Sequence, residues 1–227
     1  MPVDVSKVRI EKAMGIRPND ALIIVDVQND FMPRGALPVA EGDLIVPGVN
    51  QLADRFHAAG GSIILTQDWH TPNHESFASA HKGKKPYEPY SAEGIGPILW
   101  PDHCVCGTTG ADFSPTLDTR FARLIIRKGT NQNIDSYSAF VENDKKTETG
   151  LSGYLRTVGI KRIFLCGLAL DYCVFYSAMD GKRLGFDSVL VIDLTRPVGA
   201  PDGIVPRVLR EMSASGIVFS DSREMRT

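Results

Sequence analysis

Apolar residues fall along this chain in two rhythms. Residues 21–27 form an almost unbroken aliphatic run, and further strands are read at 62–67, 122–128, 161–166 and 188–194, with a short last one at 216–220. Continuous apolar runs of that length, bounded by turn residues, predict strands buried on both faces. Between them lie stretches whose apolar residues recur three and four apart. These are 47–59, with Pro47 near its first turn and Gly60-Gly61 past its end, then 150–158, 173–184 with Gly185 as its stop, and 202–214. Repeated strand–helix units predict a parallel sheet with helices on both faces. The expected fold is therefore α/β: one three-layer α/β/α domain over 21–227, Rossmann-like, with a six-stranded, mainly parallel sheet. Residues 1–20 are expected to be an N-terminal extension, packed on the domain or frayed. Ligands of such sheets sit beyond the carboxyl ends of the strands. One stretch breaks the rhythm: 68–116, nearly fifty residues rich in Pro, Gly, His and aromatics. A loop that long in a compact domain is usually functional.

Composition narrows the class. The chain has 227 residues, 43% of them hydrophobic and 23% charged, as in ordinary globular proteins. A formal charge of -2 gives no basic footprint for nucleic acid. No apolar run approaches the roughly 18 residues of a membrane span. Residues 1–20 lack the apolar core of a secretory signal. Four cysteines, Cys104, Cys106, Cys166 and Cys173, make no dense disulfide framework, so a reducing, cytoplasmic setting is expected.

Three polar residues interrupt the apolar pattern at strand ends. Asp26 closes Leu22-Ile23-Ile24-Val25, Lys128 closes 122–128, and Cys173 follows 161–166 at the predicted start of a helix. Parallel strands bring such ends to one rim. Taken singly, each has a plain structural explanation: a carboxylate in a structural ion pair, a solvated lysine, a cysteine acting as a small buried hydrophobe. Taken together they supply acid, base and thiol for acyl transfer. A thiol attacks a carbonyl as its thiolate, and two features favour that form. A helix start contributes about 0.3–2 kcal/mol. The Lys128 charge contributes up to roughly 4 kcal/mol at about 4 Å and an effective dielectric of 20. An ionised Asp26 opposes both, so the trio is expected to titrate as one coupled group. Asp26 would take the thiol proton and later deliver it to a departing amine.

Beside the trio lie candidate metal ligands. In Asp68-Trp69-His70 the residues two apart point the same way in an extended chain, so Asp68 and His70 can grip one ion. His74 and His103 follow, and four of the five histidines fall between positions 70 and 103. Asp/His ligation suits zinc, iron or manganese. Two other readings stay open: surface polar residues, and a closed structural zinc site made with Cys104 and Cys106 beside His103.

Several segments together carry a resemblance. Val25-Asp26-Val27-Gln28-Asn29-Asp30-Phe31 continues into Gly35-Ala36-Leu37-Pro38-Val39. Asp68-Trp69-His70 leads to Asn73-His74 and Ser76-Phe77. Trp100-Pro101-Asp102-His103-Cys104-Val105 leads to Gly107-Thr108 and Gly110-Ala111. Lys128-Gly129 and Gly167-Leu168-Ala169-Leu170-Asp171-Tyr172-Cys173-Val174 complete the set. Over 21–220 the chain resembles nicotinamidases of the cysteine-hydrolase superfamily that also contains isochorismatases. The resemblance implies an isochorismatase-like fold and hydrolysis of nicotinamide to nicotinate and ammonia through a cysteine thioester, a step of NAD salvage. It implies Cys173 as nucleophile, Asp26 as proton acceptor and donor, and Lys128 as the charge that steadies them. Asp68, His70 and His103 would hold one divalent ion, most simply zinc, with iron or manganese as alternatives. His74 is a further candidate, a ligand in some members and only nearby in others, and Ser76 would reach the ion through water. Phe31 and Trp100 would wall the pyridine ring and Tyr137 would line the pocket, the ring nitrogen meeting the metal. The Leu168–Ala169 peptide is expected to be cis, aiming the N–H groups of Ala169 and Cys173 at the oxyanion. Tyr172 departs from the histidine or small residue that many relatives carry. The alternative within the superfamily is a metal-free amidase acting on carbamoyl or ureido substrates. A symmetric homo-oligomer would suit an enzyme of this size.

Overall fold

A computed structural model describes residues 8–226; residues 1–7 of the expected extension, and Thr227, lie outside them. In chain order the strands and main helices are β1 (Ile10–Glu11), β2 (Met14–Gly15), β3 (Asp20–Val25), α1 (Val46–Ala58), β4 (Ser62–Asp68), β5 (Ala122–Lys128), α2 (Leu151–Thr157), β6 (Arg162–Leu168), α3 (Phe175–Arg183), β7 (Asp187–Arg196), α4 (Ile204–Ala214), β8 (Val218–Ser220) and β9 (Met225–Arg226). Every residue of β3 and β4 is buried. A strand without an exposed side chain must be covered on both faces, and helices flank this sheet accordingly. Strand β5 is an edge, and only Ile126 and Lys128 within it are buried.

The main sheet runs β1-β8-β7-β6-β3-β4-β5, with every pairing parallel. The six expected strands are all present, each within a few residues of its predicted bounds. Among the described residues the sheet has a seventh strand: Ile10 and Glu11 pair with Phe219 and Ser220. Two residues are too few for apolar periodicity to register, so the pattern placed them in the extension instead. A separate two-stranded ladder joins Met14–Gly15 to Met225–Arg226. No helix among the described residues is long and apolar enough to cross a membrane.

The helix expected from residue 173 begins earlier and in a different form. Residues Leu170–Val174 make a wide π turn, in which the Val174 N–H reaches back to the Ala169 carbonyl, and α3 follows from Phe175. Cys173 is therefore inside the opening turn of a helical segment, not its first residue. Just before it, Gly167 has φ of 104°. A Cβ there would collide with the Val25 backbone of β3, so only glycine lets β6 lie this close to β3.

Candidate active site

The strand order reverses between β3 and β6. The chain leaves β3 to build β4 and β5 on one side, then crosses back to start β6 on the other. The crevice beyond the carboxyl ends at such a switch point is where α/β sheets bind ligands. Asp26 follows β3, Asp68 ends β4, Lys128 ends β5, and Cys173 follows β6. All four are buried.

Backbone geometry fixes each carboxylate. Asp26 lies one residue past β3 with φ of 46°, a left-handed conformation that aspartate tolerates better than most residues. Its N–H donates to Thr66 Oγ1 at 3.2 Å, and the Thr66 hydroxyl donates back to Asp26 Oδ1 at 2.5 Å. Asp68 and Lys128 face each other in register across β4 and β5. Gln28, fully buried, clamps the end of β4. Its Nε2 donates to the Asp68 carbonyl and its Oε1 accepts from the Asp68 N–H, both at 2.8 Å.

The Lys128 ammonium is the hub. Nζ lies 2.8 Å from Asp26 Oδ2 and 2.5 Å from Asp68 Oδ1, donates to the Ser136 carbonyl at 3.0 Å, and reaches Cys173 Sγ at 3.3 Å. Burial alone would lower the lysine's pKa, but Asp26 and Asp68 raise it well above its ordinary value, so the ammonium stays charged. Burial also works against the Asp68 carboxylate, yet Lys128 and His70 hold it well below the usual carboxylate range. Asp26 goes the other way, because burial outweighs Lys128 and pushes its pKa up. The expectation of a thiolate favoured by helix start and lysine is corrected here. Burial pushes the Cys173 thiol well above its ordinary value, Lys128 opposes that, and Asp26 and Asp68 reinforce it. The resting trio thus keeps a proton between sulfur and Asp26.

The metal candidates converge on the far side of Asp68. His70 Nε2 and His103 Nε2 lie 3.6 and 3.7 Å from Asp68 Oδ2, and one ligand atom from each of the three falls within 4.8 Å of the others. The Nδ1 atoms of His70 and His103 face the carbonyls of Gly129 at 3.2 Å and Pro101 at 2.8 Å. Carbonyls accept only, so each Nδ1 carries the proton and each Nε2 presents a lone pair to the centre, the arrangement that ligating histidines adopt. The buried Asp26, Asp68 and Asp135 are matched by one buried ammonium, which favours a further cation. Donor chemistry, tautomers and charge all fit a divalent ion. His74 sits behind His70 at 4.4 Å between ring centroids; Ser76 Oγ is hydrogen-bonded to its Nδ1 at 2.8 Å, and its Nε2 lacks a well-formed hydrogen bond among the described residues. Cys104 and Cys106 are free thiols and, among the described residues, join no group of candidate ligands.

Both centres open on one narrow cleft of about 20 Å³, walled by Phe31, Trp100, Tyr137, Tyr172 and Ala169 among others. Trp100 Nε1 donates to the Tyr137 hydroxyl, which donates to the Gly96 carbonyl, each at 2.9 Å. Tyr137 is also a wall of a wider surface depression of about 540 Å³. Tyr172 packs edge-on to Trp100 at 4.7 Å, and its hydroxyl donates to the Ala200 carbonyl at 2.6 Å. The Leu168–Ala169 peptide is cis.

Sequence patterns passed over several contributors. Thr66 is a hydroxyl in an otherwise aliphatic run, a signal available in the sequence. Gln28 stands out in the sequence only as one residue of the Val25–Phe31 segment. Asp135, buried on the cleft, comes from a polar loop whose pattern gives no sign of burial. Leu37 and Val198 complete the walls.

Similarity to known proteins points to one family. The isochorismatase domain model matches residues 20–223. A nicotinamidase of Acinetobacter baylyi is 45% identical over 216 residues, covering 95% of this chain and 99% of the relative. Among solved structures, a nicotinamidase/pyrazinamidase of Acinetobacter baumanii is 43% identical with a TM-score of 0.87, covering 91% of this chain and 97% of that one. A pyrazinamidase of Pyrococcus horikoshii in complex with zinc is 38% identical with a TM-score of 0.73, covering 90% and 99%.

Proposed function

The chain belongs to the isochorismatase family, and from that premise we propose that it is a nicotinamidase, hydrolysing nicotinamide to nicotinate and ammonia through a thioester on Cys173. One observation carries the reading. A single buried ammonium, Lys128, touches the Cys173 sulfur and both carboxylates, and the sulfur shares an aromatic-walled cleft with three metal-type ligands.

The pyridine ring enters between Phe31 and Trp100, displacing the walls of the narrow cleft, with Tyr137 fixing the Trp100 edge. Asp68, His70 and His103 would hold a divalent ion, for which zinc is the simplest choice and which would supply Lewis-acid chemistry at that end of the cleft. The aromatic walls leave the carboxamide facing Cys173, which lines the same cleft. As Sγ attacks the carbonyl carbon, its proton passes to Asp26, whose pKa burial raises above the ordinary carboxylate value, making it a better proton acceptor and donor. Lys128 stays charged throughout and offsets the negative charge moving between sulfur and carboxylate. The N–H groups of Ala169 and Cys173 are the proposed donors to the carbonyl oxygen as it becomes anionic. When the C–N bond breaks, Asp26 protonates the leaving nitrogen, which departs as ammonia. Water then attacks the thioester, giving one proton to Asp26 and its hydroxyl to the acyl carbon. The C–S bond breaks and Asp26 returns the proton to sulfur.

The test is ammonia release from nicotinamide by purified protein. Cys173→Ala is expected to lose more than about 10³-fold in kcat while remaining folded. Chelation should abolish turnover and added zinc restore it. A fully active Cys173→Ala would sink the nucleophile, and undiminished turnover in chelated, metal-free protein would sink the ion.

A further inference from the structure

We propose that Tyr137 is a partition that sets substrate size, and that the surface depression behind it is a second subsite, closed off by that ring, for an apolar substituent of a larger aromatic carboxamide; the inference rests on the reading of the cleft as a nicotinamidase active site. Among the described residues, Tyr137 alone lines both the cleft of about 20 Å³ and the depression of about 540 Å³. Its ring stands between them. On the cleft side it meets Trp100 edge-on at 6.3 Å and Tyr172 edge-on at 5.3 Å between ring centroids. On the outer side it stacks on Tyr176 of α3 at 5.3 Å.

The ring is pinned in place. Tyr137 is buried, and its hydroxyl accepts from Trp100 Nε1 and donates to the Gly96 carbonyl, each at 2.9 Å. Burial pushes its pKa well up, so the hydroxyl keeps the proton it gives to Gly96. Trp100 walls the cleft and Gly96 lines the depression, so one hydroxyl ties the two sides together. Swinging the ring aside would leave the buried indole N–H without its acceptor, which costs free energy. The cleft itself has space for roughly one water. A pyridine ring that enters by shifting the walls therefore finds no room left for a substituent. Behind Tyr137 the room exists, within the range of about 300–1,000 Å³ usual for small-molecule sites. Ile95, Pro97, Tyr176, Pro201 and Ile204 present apolar surface there. The two cations of its lining, Lys145 and Arg207, already face Asp180 at 3.7 Å and Glu211 at 3.5 Å, so an uncharged aromatic group suits the depression better than an anion.

Steady-state kinetics on nicotinamide, and on nicotinamides carrying a phenyl group at ring carbon 4, 5 or 6, test this, each compound read as its kcat/KM relative to nicotinamide with the same enzyme. Wild type is expected to disfavour all three phenyl compounds by more than about 10²-fold. Tyr137→Ala should raise that ratio at least about 30-fold for one or more of them. Tyr137→Phe, which keeps the ring and drops the hydroxyl, should lower kcat/KM for nicotinamide and leave the ratio within about threefold. Ala92→Trp and Asp202→Trp crowd the depression from its exposed side, and either, added to Tyr137→Ala, should reverse the gain. A gain that survives both overturns the outer subsite. An unchanged ratio in Tyr137→Ala, a ratio in Tyr137→Phe that rises as far, or a wild type that accepts the phenyl compounds as readily as nicotinamide overturns the partition. Should Tyr137→Ala fail to fold, Tyr137→Leu, which also removes the hydroxyl and the far side of the ring, is judged by the same ratio. Wild type inactive on nicotinamide removes the parent reading together with this one, whereas an active wild type whose ratio is indifferent to residue 137 removes this inference alone.

Discussion

Lys128 has three N–H bonds to give and four acceptors around it, with the sulfur the most distant of them. Its removal would strand two carboxylates in a buried site. Lys128→Met is therefore expected to destabilise the fold by about 3–5 kcal/mol, read by urea denaturation. Adding Asp26→Asn, which deletes one of the stranded charges, should recover part of that loss; strictly additive losses would show that the two groups are not coupled. Proton traffic gives a second expectation. Burial raises the Asp26 pKa above its ordinary 3.8, and only ionised Asp26 can accept the thiol proton. On acidification kcat/KM should thus fall with an apparent pKa above 3.8, as Asp26 becomes protonated. Asp26→Asn should lose about 10²–10⁴-fold and lack that limb in its pH–rate profile. A wild-type profile flat through the acid range would remove Asp26 from the proton path. The identities of Asp26, Lys128 and Cys173 were legible in the sequence because each breaks or follows an apolar run. Their protonation was not, because the sign of the Cys173 shift depends on burial, which residue spacing does not report.

At the scale of elements, what was legible followed the strength of the apolar pattern. Strands β3, β4, β6 and β7 have apolar stretches strong enough to be read directly, while β5 alternates basic and apolar residues as an edge strand does. The opening of the Cys173 segment is not: its π turn follows from the Val174 N–H reaching the Ala169 carbonyl, and five residues of wide turn carry no period of their own. Residue pattern also understates Gly167, which looks like simple punctuation after Cys166. In the fold it is the point where β6 passes the Val25 backbone with φ of 104°. Gly167→Ala is expected to cost about 2–5 kcal/mol, through a strained left-handed backbone and a collision between strands. Gly153, inside α2, has nothing within 4 Å of where a Cβ would sit, so Gly153→Ala should stabilise by about 0.5–1 kcal/mol. Denaturation midpoints that move in the same direction for both variants would contradict this assignment of their roles.

For the whole molecule, the site and the chain ends occupy different parts of the sheet. Catalytic candidates gather where β3, β4, β5 and β6 end, whereas β1 lies at the opposite edge, beyond β7 and β8. There the first described residues fasten the last ones. Ile10–Glu11 pairs with Phe219–Ser220, and Met14–Gly15 pairs with Met225–Arg226. Arg162 donates to the Gly15 carbonyl at 2.6 Å, and Arg55 donates to the carbonyls of Ser222 and Met225 at 2.9 and 3.1 Å. Deleting residues 1–16 would remove both ladders and leave β8 as a bare edge strand. The loss is expected to be about 1–3 kcal/mol, which for a chain of this size lowers Tm by roughly 3–10 °C. Because β1 and β2 pair with β8 and β9, and the Arg162 contact to Gly15 lies at the start of β6, opposite the end that meets the cleft, kcat/KM for nicotinamide should stay within about twofold when assayed well below the new Tm. An unchanged Tm would mean that these short ladders contribute nothing beyond what water offers their backbone groups, and a raised KM at unchanged Tm would mean that the extension reaches the cleft.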